Sequence, residues 1–191
     1  MKFISTRGND IASNIDDVFV KGIANDGGLY LPKILPQFEL MQFKKDTTIR
    51  DTARILLKPF FAGSSLVDSI DSIVDESLSF PIPSVRMSND QNRWLLELFH
   101  GPTLAFKDIA MQIIGNMYDS ILKKNNLKIN IIVATSGDTG AAAINAIKDR
   151  NNMKIFVLHP HNKISDVQRK FMTTANSKNV FNISLDGNFD D

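Results

Sequence analysis

The sequence holds no cysteine, which excludes a disulfide framework and a thiolate metal site, and permits a reducing compartment without requiring one. Histidine is nearly as scarce. His100, His159 and His161 fall at no recognisable metal spacing, so no metal ligand is assigned. Neither sign of charge dominates: 22 basic residues face 21 acidic ones, for a net charge of +1, and there is no long run of one sign. The footprint of a nucleic-acid or anionic-membrane partner is therefore missing. Long apolar runs are missing too. The most continuous, Ile129 to Ala134, is far short of the ~20 residues that span a bilayer, and the opening MKFISTRGND lacks the apolar stretch of a signal peptide. No G-x-G-x-x-G motif follows the first strand of the alternating region described below, which disfavours a dinucleotide-binding domain. These absences leave a cytoplasmic enzyme or binding protein as the expectation.

What is present is enough apolar material for one core or a little more, at 43% hydrophobic and 23% charged over 191 residues. The pattern predicts a mostly helical amino-terminal region over residues 1–84: a strand over Lys2 to Ser5, a helix near Ile11 to Ile23, a turn at Asn25 to Gly28, then helices over Thr48 to Phe61 and Ser65 to Ser79 with apolar residues at helical spacing. The acids Asp68, Asp71, Asp75 and Glu76 are expected to form a solvated face. Pro81 and Pro83 interrupt helical structure and place an internal boundary within 80–90. Residues 85–191 then alternate. Strands are expected over Arg93–Phe99, Ile129–Thr135, Lys154–His159 and Val180–Leu185, and helices over Phe106–Lys124, Thr139–Arg150 and Ser165–Ala175. That rhythm implies an α/β fold with an open, mainly parallel sheet and flanking helices. Its ligand edge lies at the carboxyl ends of the strands, where His100, Ser136, His159 and Asp186 are expected. Residues 186–191 resemble a strand-to-helix turn with no helix after it, as in an incomplete domain.

Three segments carry possible chemistry. In ELFHGPTLAFKD, residues 97–108, a strand stops at His100-Gly101-Pro102 and restarts as a helix bearing Lys107. An apolar setting among Leu104, Phe106, Ile109 and Ile113 favours the neutral amine, available as nucleophile or base; the alternative is a solvated first-turn lysine. Ala134-Thr135-Ser136-Gly137-Asp138-Thr139-Gly140 opens an alanine-rich helix. It reads equally well as an anion site built on free amides or as a plain helix capped by Asp138 or Ser136. In the third, His159 to Thr174, Lys163, Arg169 and Lys170 suit a solvated helix start, with phosphate contacts as the other reading.

Together with Ser5-Thr6-Arg7-Gly8 and Asp26-Gly27-Gly28-Leu29-Tyr30-Leu31-Pro32, these blocks resemble threonine synthases, in the family's order, over nearly the whole chain. They belong to the pyridoxal phosphate enzymes related to the tryptophan synthase β chain. The resemblance implies a lyase of threonine biosynthesis that converts O-phospho-L-homoserine and water to L-threonine and phosphate. It implies that Lys107 holds the cofactor as a Schiff base and later moves protons, and that Asp138 faces the substrate amine or a cofactor hydroxyl. Ser136, Gly137, Thr139 and Gly140 would contact a carboxylate or phosphate, and Lys163 or Arg169 the substrate phosphate. Asp138 stands where cysteine synthases usually carry Asn, a departure from them that fits threonine synthases. Family members are considerably longer, and their cofactor-phosphate loop lies in the part not matched here. A truncated enzyme, a complementing carboxyl-terminal half, self-association or a non-catalytic remnant acting as an interaction domain are the expectations that follow.

Overall fold

The computed structural model describes residues 1–88 and 92–188, so parts of the boundary expected within 80–90 and of the turn expected over 186–191 lie outside the described residues. The chain divides into two units, Met1–Glu76 and Ser77–Asp191.

The first unit is organised by two aspartates. Strand β1 (Phe3–Ser5) pairs antiparallel with β2 (Ile11–Ala12) and β3 (Tyr30–Pro32). Asp10 accepts hydrogen bonds from the Tyr30 hydroxyl at 2.5 Å and from the Asn25 and Ile11 amides at 2.8 Å. Asp26 accepts from Ser5 Oγ at 2.6 Å and from the Asn9 and Gly28 amides at 3.0 Å. Gly28 has to be glycine, because a Cβ there would lie 2.1 Å from Ser5 Oγ. The helix expected over Ile11–Ile23 is shorter than its periodicity suggests. Ile11 and Ala12 are drawn into β2, and α1 (Ile15–Lys21) starts only where Asn14 caps the Asp17 amide. It stops at Gly22, whose φ of 69° suits glycine.

Helix α2 (Ile49–Leu57) opens on a reciprocal cap between Thr48 and Asp51, and α3 (Ile70–Ser77) follows it. Arg54 reaches Asp51 at 2.9 Å, Asp71 at 3.5 Å and also Asp75, while Lys58 meets Asp71 at 3.0 Å. Asp71 and Asp75 are thus half-exposed members of a charged seam, each pair worth ~0–1 kcal/mol, and not a paired acid–base set.

The second unit begins with a hairpin of β4 (Ser84–Arg86) and β5 (Trp94–Leu96). Here the expectation of a buried strand over Arg93–Phe99 is corrected. Only Trp94–Leu96 is strand, all three residues are exposed, and they pair antiparallel with β4 instead of joining the parallel sheet. A short return loop makes that local pairing accessible, whereas parallel pairing needs a long crossover. His100 therefore does not follow a strand of the main sheet.

That sheet is β6 (Ile129–Ala134), β7 (Met153–Pro160) and β8 (Val180–Leu185), all parallel, in the order β6-β7-β8. Helices α4 (Lys107–Asn125), α5 (Asp138–Ile147) and α6 (Asp166–Thr173) alternate with the strands. One sheet face, with Ile155 and Val157 at its centre, packs beneath Leu122 of α4, Ala141, Ala143 and Ile144 of α5, and Met172 of α6. Gly115 lets α4 close on α5, since a Cβ there would lie 2.8 Å from the Ala146 carbonyl oxygen. Among the described residues no helix is long and apolar enough to cross a membrane.

The Tyr30 hydroxyl, then the Asn25 amide, draw the Asp10 carboxyl down from its ordinary 3.8 to about 2. A carboxyl lowered on folding stabilises the native state above its ordinary value, and that contribution is lost as pH falls from about 3.8 toward about 2. Tyr30→Phe is expected to move the Asp10 titration, followed by carboxyl ¹³C NMR, upward, and to move acid loss of native circular dichroism the same way; an unchanged Asp10 titration would contradict this.

Candidate active site

Lys107 owes its position to the residue after it. Asp108 is fully buried and accepts two hydrogen bonds from Thr103, the amide at 2.8 Å and the hydroxyl at 2.7 Å. Those bonds curl residues 101–106 over the start of α4, where a carboxylate is also favoured by the helix dipole. Gly101 makes the curl possible, because a Cβ there would stand 2.5 Å from an Asp108 oxygen. Leu104 takes the left-handed conformation, φ 61°, which costs a branched side chain ~1–2 kcal/mol and occurs where the surroundings over-determine the backbone. Helix α4 ends at Asn126, also left-handed at φ 52°.

The second loop is held from inside. Thr135, buried at the end of β6, accepts the amides of Gly137 and Gly140, both at 3.1 Å. The Thr139 amide is taken by the Asp138 side chain at 3.0 Å. The tight start of α5 excludes side chains at its glycines. A Cβ on Gly140 would meet Thr135 Cγ2 at 2.5 Å, and one on Gly137 would meet the Gln168 amide group at 2.5 Å.

The two loops converge on one contact: Lys107 Nζ donates to Asp138 Oδ2 at 2.9 Å. The ammonium also lies 4.5 Å from the centroid of the Phe106 ring, a favourable cation–π distance. The lysine side chain is 27% exposed and the Asp138 side chain 48%. The apolar setting expected for Lys107 is not what surrounds its head group, since Leu104 and Phe106 are mostly exposed and a carboxylate faces the amine. The hydrogen bond from Lys107 is the first cause holding the Asp138 carboxyl below its ordinary value. Beside Asp138 opens a cavity of about 320 Å³ bounded also by Leu104, Phe106, Val167 and Gln168.

The remaining candidates divide. Ser136 is exposed and Thr139 half-buried at the mouth of the α5 turn, while Gly137 and Gly140 are buried with their amides engaged. Lys163 is tied to the Gly187 carbonyl at 2.7 Å, and Arg169 to Asp166 at 3.3 Å on its own helix; no contact described above joins either to the Lys107–Asp138 pair. His159 sits buried at the end of β7, its Nδ1 without a hydrogen-bond partner among the described residues, and His161 lies 3.0 Å from Ser184 Oγ. Sequence reasoning missed Thr135, Asp108 and Gln168. The faint signals were a threonine closing an apolar strand and a Thr-x₄-Asp spacing directly after a Gly-Pro pair.

The open α/β sheet brings a lysine and a carboxylate into contact beyond the end of β6, at the carboxyl edge where sheets of this class bind ligands. A family profile described as "Threonine synthase N terminus" matches residues 2–78. The chain is 44% identical to threonine synthase of Pseudomonas aeruginosa, over all of this chain and 42% of that relative. It superposes on the crystal structure of PLP-bound threonine synthase from Brucella melitensis with a TM-score of 0.90 and 40% identity, covering 100% of this chain and 42% of that one. On yeast threonine synthase the TM-score is 0.86 at 32% identity, covering 99% and 41%. The chain is similar to the amino-terminal part of threonine synthases, and it spans about 42% of the length of the relatives it matches.

Thr135→Val removes the acceptor for two amides in a nearly unchanged volume. Leaving a buried donor unpaired costs ~1–3 kcal/mol. Urea unfolding of the variant is expected to show a loss in that range, together with faster hydrogen exchange at Gly137 and Gly140; equal stability would mean these amides find other partners.

Proposed function

We propose that this chain supplies the cofactor-lysine part of a threonine synthase, a PLP-dependent lyase that converts O-phospho-L-homoserine and water to L-threonine and phosphate. In this reading residues 85–191 are the cofactor-lysine domain and residues 1–84 a preceding region. The observation that carries it is the 2.9 Å contact between Lys107 and Asp138, formed by two loops that each close against a buried side chain.

The residues suit the carbonyl end of pyridoxal phosphate: a primary amine, half-buried, steered by an aromatic face and by a carboxylate that itself lines a cavity. Bound there, the cofactor supplies the electron sink for chemistry at the substrate carbons. Lys107 tethers it and afterwards takes and returns protons at those carbons. Asp138 orients the Lys107 amine and accepts from a donor of the cofactor or from the substrate ammonium. Ser136 and Thr139 offer hydroxyls to a carboxylate or phosphate, and Gly137 and Gly140 keep side chains out of its approach. Lys163 and Arg169 are assigned to the substrate phosphate through charge-assisted contacts, which requires each to leave the partner it has here. Turnover is assigned to this chain together with the remainder of the family's length.

A second reading, a non-catalytic threonine synthase-like fragment that serves as an interaction domain, is favoured by one observation. Ile132, Phe181 and Ile183 on one face of the β6-β7-β8 sheet are exposed.

Titration with pyridoxal phosphate followed by absorbance, borohydride trapping and peptide mapping separates the two. The expected result is saturable labelling at Lys107 alone, lost in Lys107→Ala. Asp138→Asn keeps an acceptor but removes the charge from a half-exposed pair of a kind worth ~0–1 kcal/mol, and is expected to weaken labelling by up to about fivefold. Weak labelling spread over many surface lysines would favour the second reading.

A further inference from the structure

The net charge of +1 hides an uneven distribution. Helices α4 and α5 end, and strands β6, β7 and β8 begin, at the amino edge of the sheet, at the opposite end of the strands from the Asp138 loop. Seven basic residues gather there against two acids, Asp119 and Asp149. Lys123 and Lys124 close α4 and Lys148 caps α5, positions where a cation complements the helix dipole. Lys123 and Arg150 share Asp119, at 2.8 Å and 3.2 Å. No helix end accounts for Lys128, Lys154 and Lys178, which stand at the entries to β6, β7 and β8. Among the described residues none of these three is paired with an acid.

Lys154 and Lys178 share the wall of a cavity of about 490 Å³ with Asp149, Arg150, Asn151 and Asn176. That wall is fixed in advance. The Asn179 side-chain amide donates to the carbonyls of Ile147 and Met153 at 2.9 Å and of Arg150 at 3.1 Å. The Asp149 amide, on a backbone at φ 65°, donates to Ser177 Oγ at 3.1 Å and to Asn179 Oδ1 at 3.0 Å. The loop before β7 is thus stitched to the loop before β8, and a preformed cavity spares a ligand the cost of ordering it. Like charges held around a concave surface focus the field and concentrate anions. The Asp149 carboxylate opposes this, so a ligand has to carry more than one negative charge. Among the described residues no aromatic side chain lines the cavity, which leaves a nucleobase nothing to stack on. Recognition therefore falls to charge and to acceptor oxygens, the chemistry of phosphate.

We propose that the amino edge of the sheet is a second binding site, for a compact, multiply charged phosphate such as tripolyphosphate or the triphosphate of a nucleotide, held by Lys154, Lys178 and the side-chain amides of Asn151 and Asn176. It goes beyond the threonine synthase reading and does not depend on the chemistry of Lys107.

The test is calorimetric titration of the 191-residue chain with inorganic tripolyphosphate, with ATP and with a single-stranded oligouridylate, at low and at high salt. Saturable one-to-one binding of tripolyphosphate and ATP at closely similar affinity is expected, weakening as salt rises. Lys178→Gln is expected to weaken it about threefold, and Lys154→Gln combined with Lys178→Gln about tenfold. Both lysines are exposed, so these variants are expected to keep native circular dichroism. Lys44→Gln combined with Lys45→Gln removes the same charge from exposed positions in the first unit and is expected to leave the affinity unchanged, as is Lys107→Ala. The absence of saturable binding, equal binding without Lys154 and Lys178, or an equal loss without Lys44 and Lys45 would overturn the proposal. So would an oligouridylate that binds more tightly than tripolyphosphate, which would make this edge a nucleic-acid surface, or binding lost in Lys107→Ala, which would put the phosphate in the lysine site. Tripolyphosphate bound by a chain whose Lys107 resists borohydride trapping would leave this site standing and remove the catalytic reading.

Discussion

A carboxylate sealed from water, Asp108, is the constraint on which the site depends. Burying a charge is costly unless its oxygens are hydrogen-bonded, and both partners of Asp108 come from one residue, Thr103. The loop between them has no freedom left. Gly101 fits only as glycine, Leu104 is forced to positive φ, and the next side chain along α4, Lys107, leaves the helix at a fixed angle. The strain at Leu104 and the buried charge at Asp108 are two sides of the same arrangement. They lie on either side of the residue that reaches Asp138, Lys107.

The opposing loop is built on a different principle with the same outcome. Thr135 is a neutral side chain that satisfies two amides at the start of α5, and the small residues after it let that helix sink between α4 and the sheet. Amides that would otherwise face a ligand are engaged internally, so the polar groups turned outward are side chains: Ser136, Asp138 and Thr139. One carboxylate holds the first loop and another, Asp138, receives its lysine. The pair is therefore preorganised across elements 31 residues apart in sequence, and preorganisation of this kind is what a reactive amine requires.

Much of this was legible in the sequence. The alternation of strand and helix from residue 129 onward gave the parallel sheet almost to the residue, because fully apolar strands and small-residue helices have few other ways to pack. The Lys107 and Ser136–Gly140 segments stood out through their glycines and their positions after strands. What could not be read was the partnership. Nothing local says that Lys107 meets Asp138, that Thr135 faces inward, or that Asp108 is buried when acids elsewhere in the chain lie in solvent. These depend on how two loops approach in space. The errors have local causes: Trp94–Leu96 found an antiparallel partner a few residues upstream, and the pull of Asp10 and Asn14 on the backbone overrode the helical period at Ile11.

The account turns on whether the Asp108–Thr103 lock presents Lys107 to Asp138. The most direct measurement is the titration of the Asp138 carboxyl by ¹³C NMR in the native chain, in Lys107→Met and in Asp108→Asn. Asp138 is expected to titrate below its ordinary 3.8 in the native chain and to rise toward that value in both variants. A native Asp138 at its ordinary value, or one unmoved by Asp108→Asn, would contradict the account.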